Sequence, residues 1–562
     1  MATNPARGQV RMAAVMKTPG QPRSDQHPSH RLLAGALAGV LTGAVALGVA
    51  ELTAAITGPL GAPVIAVGET AINLTPVPVK DFAIAHFGSH DKEALITGIV
   101  VLLVAFAALI GVLAVRRMAY GLAGLAVFAA VGVAAAAHLP NATAADVTPT
   151  LAGVGVAVAA LVVLVRVVWA AFPAAEGPAS FEGTTSFEGT TSFEGITSFA
   201  GAAPAARTAG PDRRRFLIAG AGTAALAAAA GGLGDQLMGR FSVAPGQVRL
   251  PAPAVTAKAV PAGADLRIGG LTPFFTSNSS FYRVDTDLVL PQVRPDTWTL
   301  RIDGMVDREL EITFAELLRM PLTENDMTLV CVSNSVGGSY AGNARWLGVP
   351  LAGLLRKAGV KAGADQVLST ATDGMTISTP IATIMDGREA LLAVGMNGQP
   401  LPIAHGFPAR MLVPGLYGYV SATKWVTRLT LTTFARQRAY WTQRGYAAQA
   451  PIKTESRIDV PKPLAQVKAG RVAVAGVAWA PATGIAAVEV NVDNGPWHRA
   501  ELAAVDAIDT WRQWMWAWDA TPGLHTLQVR ATDNTGATQT SQRAQVFPNG
   551  ASGWDSTVVT VT

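Results

Sequence analysis

The sequence predicts a multi-domain fold: an N-terminal α-helical transmembrane bundle, an α+β domain, and a C-terminal all-β sandwich. Three observations predict it. Half of the 562 residues are hydrophobic and only 14% are charged, which is too apolar for an ordinary water-soluble chain. That excess sits in long Ala/Val/Leu/Gly runs within the first 240 residues, while the remainder has a mixed composition. From Arg471 onward, apolar and polar residues alternate, as in VAVAGVAWA and AAVEVNVDNG, the period that buries one face of a strand.

The elements follow in order. Residues 1–31 read as a cytoplasmic tail, and 32–172 as a four-helix transmembrane region. The runs Leu32–Val49, Ala94–Val115, Tyr120–Ala137 and Leu151–Ala171 are each about long enough to cross ~30 Å of hydrocarbon as helices. A fifth span, 216–237, begins at Phe216. Basic residues gather on alternate connections, including Arg7, Arg23, Arg31, Arg116, Arg117 and Arg213 to Arg215, against only Lys80 and Lys92 on the others. The positive-inside rule then sets the N-terminus in the cytoplasm. Five crossings place everything past about Arg240 on the extracytoplasmic face of the cell membrane.

Between the fourth and fifth spans, residues 173–215 carry three near-copies of SFEGTT from Ser180 to Thr197. Small, polar and acidic residues make this a flexible linker. It ends in PDRRRFL, Pro211 to Leu217, which resembles a twin-arginine export signal; the alternative is that the arginines simply mark a cytoplasmic helix end. His86, His90 and His138 fall in outer-side loops or at a helix end, so the spans offer no paired haem ligands. His86 and His90 read as solvated loop residues rather than a metal pair. Few charges lie inside the spans, which argues for an anchor or a docking surface for a redox partner, and against a transporter.

Composition excludes several functions. The net charge of +5 comes without a dense basic stripe, which argues against nucleic-acid binding. A single cysteine, Cys331, rules out an intrachain disulfide, a cysteine-built zinc site and a thiolate-held iron–sulfur cluster. No haem or flavin module is recognisable. After a Pro-rich spacer, 238–270, residues 271–450 read as short strands and helices, and 451–562 as the sandwich. Cys331 ends the apolar run of MTLVCVSNSVGGSY, so a strand delivers it to a Gly/Ser/Asn loop.

Several ordered blocks carry a resemblance: LVCVSN around Cys331, GNARWLGVPLAGLLRKAGV from Gly342, MNGQPLPIAHGFPARMLVPGLYG from Met396, and Lys424-Trp425. Together they resemble the molybdenum-cofactor domain of the sulfite oxidase family. The likeness runs from about Leu271 to the C-terminus and takes in that family's immunoglobulin-like domain, often used for dimerisation. It implies a molybdenum-dependent oxidoreductase with a single pterin, transferring an oxygen atom to or from a small sulfur compound. On this reading Cys331 ligates molybdenum, His405 and Arg410 bind the pterin, and Lys424 meets its phosphate. Asn278 and Asp373 line the cofactor, and Tyr446 reaches the substrate pocket.

Two departures bear on the substrate. Sulfite-oxidising members carry an arginine before the asparagine and another five residues after the cysteine; here those places hold Ser277 and Val336. Arg283, Arg345 and Arg457 are the remaining candidates for an anion pocket. An S-oxide or N-oxide reductase fed by quinol is one alternative, and a membrane-tethered binding module with a vestigial cofactor fold is another. The resemblance further implies a separate cytochrome or quinone as redox partner and a homodimer through the sandwich. The tryptophans from Trp511 to Trp518 read as sandwich core and interface.

Overall fold

The computed structural model describes residues 28–76, 79, 82, 91–139, 142–172 and 210–562. The N-terminal tail as far as residue 27, Lys80, His86, His90 and the SFEGTT repeats lie outside these. Among the described residues, five helices are long and apolar enough to cross a membrane: Pro28–Thr57, Asp91–Arg116, Met118–Ala137, Ala144–Ala171 and Gly210–Met238. All five begin before the apolar runs in the sequence, because hydropathy marks only the apolar stretch and a helix continues into its polar ends.

Contacts divide the chain into two compact units. The first gathers the described residues of 1–53, 97–133 and 148–234; the second gathers 54–96, 134–147 and 235–562. Within the first unit the helices meet on small residues. A Cβ on Gly39 would lie 2.0 Å from the Ala107 carbonyl and 2.7 Å from the Gly111 nitrogen, and one on Gly153 would lie 2.5 Å from the Ala46 carbonyl. Backbones this close leave no room for a side chain, the small-residue packing usual between apolar helices. Gly39→Leu is therefore expected to cost roughly 1–3 kcal/mol by overpacking, read as a lowered melting temperature in detergent. Gly98→Leu, where a Cβ meets nothing within 4 Å, is the silent control.

In the second unit, ten strands build the α+β region: β1 (Thr299–Gly304), β2 (Leu310–Thr313), β3 (Thr323–Val330), β4 (Ala341–Pro350), β5 (Gln366–Ala371), β6 (Thr376–Pro380), β7 (Leu391–Met396), β8 (Gln399–Pro400), β9 (Arg410–Leu412) and β10 (Val426–Thr432). One sheet runs β2-β1-β10-β5-β6, with β1 and β10 parallel; the other runs β3-β4-β7-β8, with β9 also on β7. Leu300 and Ile302 on β1, with Leu429 and Leu431 on β10, are all fully buried. Each pair is two residues apart on its strand and so faces one side of the sheet.

Nine further strands follow: β11 (Glu455–Val460), β12 (Gln466–Val467), β13 (Gly470–Trp479), β14 (Ile485–Val492), β15 (His498–Arg499), β16 (Glu501–Leu502), β17 (Arg512–Ala520), β18 (Gly523–Asp533) and β19 (Asp555–Val561). They form two sheets, β11-β13-β17-β16 and β12-β19-β18-β14-β15. Val474, Trp514 and Trp518 of the first share a core with Val488, Leu527 and Val559 of the second. The β-only reading of this region holds. Trp511 instead joins the α+β core, donating its indole N–H to the Phe274 carbonyl at 2.8 Å and its backbone N–H to Thr328 Oγ1 at 2.7 Å. Trp511→Ala is expected to cost about 3–5 kcal/mol, seen as an early unfolding transition.

Candidate active site

Cys331 is the first residue after β3, whose last five residues are all buried. The loop folds back on it. Its backbone N–H donates to the Tyr340 carbonyl at 2.9 Å, its carbonyl accepts from the Asn334 N–H at 3.0 Å, and its sulfur accepts from the Ser333 N–H at 3.4 Å. Burial pushes the thiol above its ordinary range, with the Ser333 N–H opposing. A thiol so placed is inert by itself; a metal ion makes it a thiolate.

Arg410 opens β9 and is buried. One nitrogen donates to the His405 carbonyl at 3.1 Å, and the guanidinium lies 5.2 Å from the centroid of the Trp346 ring. Its Nε has no hydrogen-bond partner, and among the described residues no carboxylate pairs with it. Burial lowers its pKa to about 10. A buried cation without a counter-anion costs several kcal/mol, and an unmet donor adds to that.

His405 ends a short turn (Ile403–His405) that closes at Gly406 with φ +105°. A Cβ on Gly406 would come within 3.1 Å of both Arg410 and Lys424, so this glycine lets the two basic residues approach. His405 Nε2 lies 2.9 Å from the Asn278 carbonyl, which makes Nε2 the donor in the neutral ring. Burial, with the Arg410 charge, holds the imidazole neutral by lowering its pKa to about 4. Asn278 is further tied by its side chain to Asn397 and the Met396 carbonyl.

Lys424 Nζ donates to Asp285 at 2.9 Å and to the Ala404 carbonyl at 3.3 Å, and lies over the Trp425 ring at 4.4 Å. Burial lowers its pKa to about 8 against the pull of Asp285. For Asp285, burial works against ionisation, but Arg283, Lys424 and Lys92 outweigh it and hold the carboxylate well below its usual range. Asp373 accepts from the Met375 N–H at 3.0 Å, a turn-closing bond. Its charge, after burial, pushes the carboxyl of Asp287 upward.

The structure thus links Asn278, His405, Arg410 and Lys424 through direct or one-residue contacts, and sets Asp373 near Asp287. Tyr446 sits in an aromatic cluster with Tyr419, Trp441 and Phe547, ring centroids 5.1 to 5.5 Å away. Three residues escaped the sequence reading. The half-buried Tyr282 has its pKa raised by desolvation and, next, by Cys331; its signal was its place in the same FFTSNSSFYRVDT block as Asn278. Lys92 and Glu69 also reach this region, binding Asp285 and the Leu288 N–H respectively, with no local signal at all.

The three arginines weighed for an anion pocket each pair with a carboxylate, though Arg283 shares its partner with Lys92 and Lys424. Arg283 pairs with Asp285, Arg345 with Asp326 and Arg457 with Asp459. Among the described residues no group of three His, Cys, Asp or Glu side chains could hold a metal. A metal beside Cys331 therefore needs donors from a cofactor as well. The buried thiol, the uncompensated Arg410 and its orphaned Nε fit an anionic, sulfur-bearing pterin that brings its own metal.

A family model described as an oxidoreductase molybdopterin-binding domain matches residues 287–441. The mitochondrial sulfite oxidase of Drosophila melanogaster is 29% identical over 308 residues, covering 46% of this chain and 52% of that protein. An uncharacterised oxidoreductase, YuiH, of Bacillus subtilis (strain 168) is 34% identical over 149 residues, covering 26% of this chain and 72% of that one. A solved structure of the sulfane dehydrogenase SoxCD from Paracoccus pantotrophus is 24% identical with a TM-score of 0.45, over 51% of this chain and 83% of that chain. The chain spans about half the length of the mitochondrial sulfite oxidases it matches. With Cys331, His405, Arg410 and Lys424 in the matched blocks, it belongs to the sulfite oxidase family of molybdopterin-dependent oxidoreductases.

Proposed function

We propose that this chain is a membrane-anchored, extracytoplasmic oxidoreductase that transfers an oxygen atom to or from a small sulfur compound at a single-pterin molybdenum centre. The observation that carries the reading is the buried, uncompensated Arg410 in the same matched domain as a lone buried thiol. When bound, the cofactor supplies two-electron oxygen-atom chemistry that no side chain here provides. Cys331 holds the metal through its sulfur. Arg410 and neutral His405 bind the pterin, Lys424 meets its phosphate, and Asn278 and Asp373 fix the surrounding loops. Tyr446 closes the substrate side with its aromatic neighbours, where its phenol can give or take a proton. The five apolar helices anchor the catalytic part, with the basic ends inside. Electrons pass to or from a separate cytochrome or quinone, and the C-terminal sheets, read as immunoglobulin-like, pair two copies.

One observation favours the reducing direction. Arg345 and Arg457 are each neutralised by an aspartate, Arg283 shares Asp285 with Lys92 and Lys424, and Ser277 and Val336 stand where sulfite-oxidising members have arginines. A pocket that lacks those two arginines suits a neutral S-oxide better than sulfite, because an anion there loses charge-assisted hydrogen bonds. The test is turnover of the purified, cofactor-loaded chain with sulfite and a one-electron acceptor, against methionine sulfoxide and a quinol analogue. Faster sulfoxide turnover establishes the reductase; faster sulfite turnover establishes the oxidase. Turnover of neither by a loaded chain contradicts a small sulfur substrate.

A pH effect follows from Lys424. Binding an anion favours its charged form, so cofactor retention is full below about pH 8. It falls by up to about tenfold per unit above that, while Arg283, whose pKa is raised by Asp285, stays charged. Dialysis of the loaded chain at pH 7 and at pH 9.5, followed by pterin fluorescence, checks this.

A further inference from the structure

Glu455 opens β11 and is 3% exposed, yet one of its carboxyl oxygens has no hydrogen-bond partner. A buried carboxyl resists ionisation, and burial pushes this one up to about 8. Its neighbours come from several parts of the chain. The Asn334 side chain lies beside it, with an amide nitrogen that is also buried and unmet. Asn334 belongs to the loop after β3 and donates its backbone N–H to the Cys331 carbonyl at 3.0 Å, so one residue separates Glu455 from the cysteine. After burial, Glu455 and then Cys331 push the phenol of Tyr417 upward, with a Lys453 backbone bond opposing. Asp555 of β19 accepts from the Ile458 N–H at 2.9 Å. Its other oxygen would lie 2.3 Å from a Cβ on Gly337, so it too sits on the Cys331 loop. Arg457, two residues along β11, is taken by Asp459 and the Gly338 carbonyl.

Lys453 is the neighbour nearer solvent, and its charge favours the carboxylate form of Glu455. It is half-buried and donates to the Gly550 carbonyl and to Asn549 Oδ1. The same turn carries Phe547, packed on Tyr446 with ring centroids 5.1 Å apart. With Thr538, Gln539, Thr540 and Ser552, Lys453 and Thr454 line a cavity of about 330 Å³ that opens to solvent. A buried carboxyl thus stands between the Cys331 loop and a polar cavity. Removing an oxygen atom from a substrate uses two electrons and two protons and leaves one water; adding one from water releases the same. The electrons pass to or from the cytochrome or quinone partner, but the protons need a route through the protein. We propose that Glu455 carries these protons between the metal site and the cavity beside Lys453, inward when an oxygen atom is removed and outward when one is added. This rests on the molybdopterin reading above. A group that titrates near neutral pH both gains and loses a proton readily, as such a role requires.

The experiment uses the loaded full chain in detergent, as wild type, Glu455→Gln, Glu455→Asp and Lys453→Met. Turnover with methionine sulfoxide or sulfite, whichever the wild type accepts, is followed across neutral and alkaline pH beside the infrared band of protonated carboxyls. Rates are taken per bound molybdenum, so that cofactor lost through Lys424 drops out. The wild type is expected to show a band and an inflection in rate that share a midpoint near pH 8. Glu455→Gln is expected to lose both and to turn over about 100-fold more slowly. Glu455→Asp keeps a carboxyl and is expected to recover part of the rate together with an inflection. Lys453→Met removes the cation that favours the carboxylate, so its midpoint is expected to move upward. A loaded Glu455→Gln with the wild-type rate and pH profile overturns the inference. A slower Glu455→Gln that keeps the wild-type inflection also overturns it, because the carboxyl then only supports the fold. Should Glu455→Gln fail to fold or load, Lys453→Met decides, an unmoved midpoint overturning the proposal. A wild type that is empty of molybdenum, or that turns over neither substrate, overturns the reading underneath instead.

Discussion

Arg410→Met is expected to empty the pterin site while making the cofactor-free chain slightly more stable. Without an anion, the buried guanidinium carries a penalty of roughly 3–5 kcal/mol, the cost usually found for a buried charge that has lost its partner. Methionine fills similar space and keeps a polarizable contact with Trp346. Against that gain, the substitution loses a cation–π contact of about 2 kcal/mol and a hydrogen bond to the His405 carbonyl of about 1 kcal/mol. The net is a gain of about 1 kcal/mol, or roughly 2–4 °C in the melting temperature of the cofactor-free chain. Pterin content is expected to fall by about 10- to 100-fold, the usual size for a supporting contact to a bound centre. A variant that loses both stability and cofactor contradicts the account of Arg410 as a charge held ready for an anion.

Cys331→Ser is expected to abolish turnover, with a loss beyond ~100-fold, because the ligand itself matters more than the groups behind it. The fold has little reason to change. The backbone contacts of residue 331 to Tyr340 and Asn334 do not involve the sulfur, and only the Ser333 N–H does. Serine is close in size, and at a buried site its hydroxyl can take over that one bond. The variant should therefore purify folded, with pterin still held by Arg410 and Lys424, but with an altered metal spectrum. Unchanged spectrum and turnover would exclude Cys331 as a ligand.

How much was legible in the sequence depended on range. The long apolar helices showed because hydropathy is local, and the β-only C-terminus because strand period is local. Asp493 and Asn494 adopt positive φ of 52° and 58° between β14 and β15, as a tight turn requires, and their Asp-Asn-Gly sequence is a local signal for it. Cys331 at a strand end was readable from its apolar run. The HGFPAR block put His405 and Arg410 together because they are five residues apart. What stayed hidden was tertiary. Nothing near Lys92 or Glu69 announces Asp285 or Leu288, some two hundred residues on. Nor does anything near Arg283, Arg345 or Arg457 separately show that all three are paired with aspartates, although Asp285 and Asp459 each stand two residues from their arginine. The compact units also cut across the sequence boundaries, since the described residues of 54–96 and 134–147 cluster with the catalytic part. Spans read one by one say nothing about where their connections pack.

The most direct measurement is the molybdenum and pterin content of the purified full chain from a molybdenum-replete host. The account predicts one molybdenum and one pterin per chain, lost together in Arg410→Met. A folded chain carrying neither would contradict it and leave a tethered binding module as the better description.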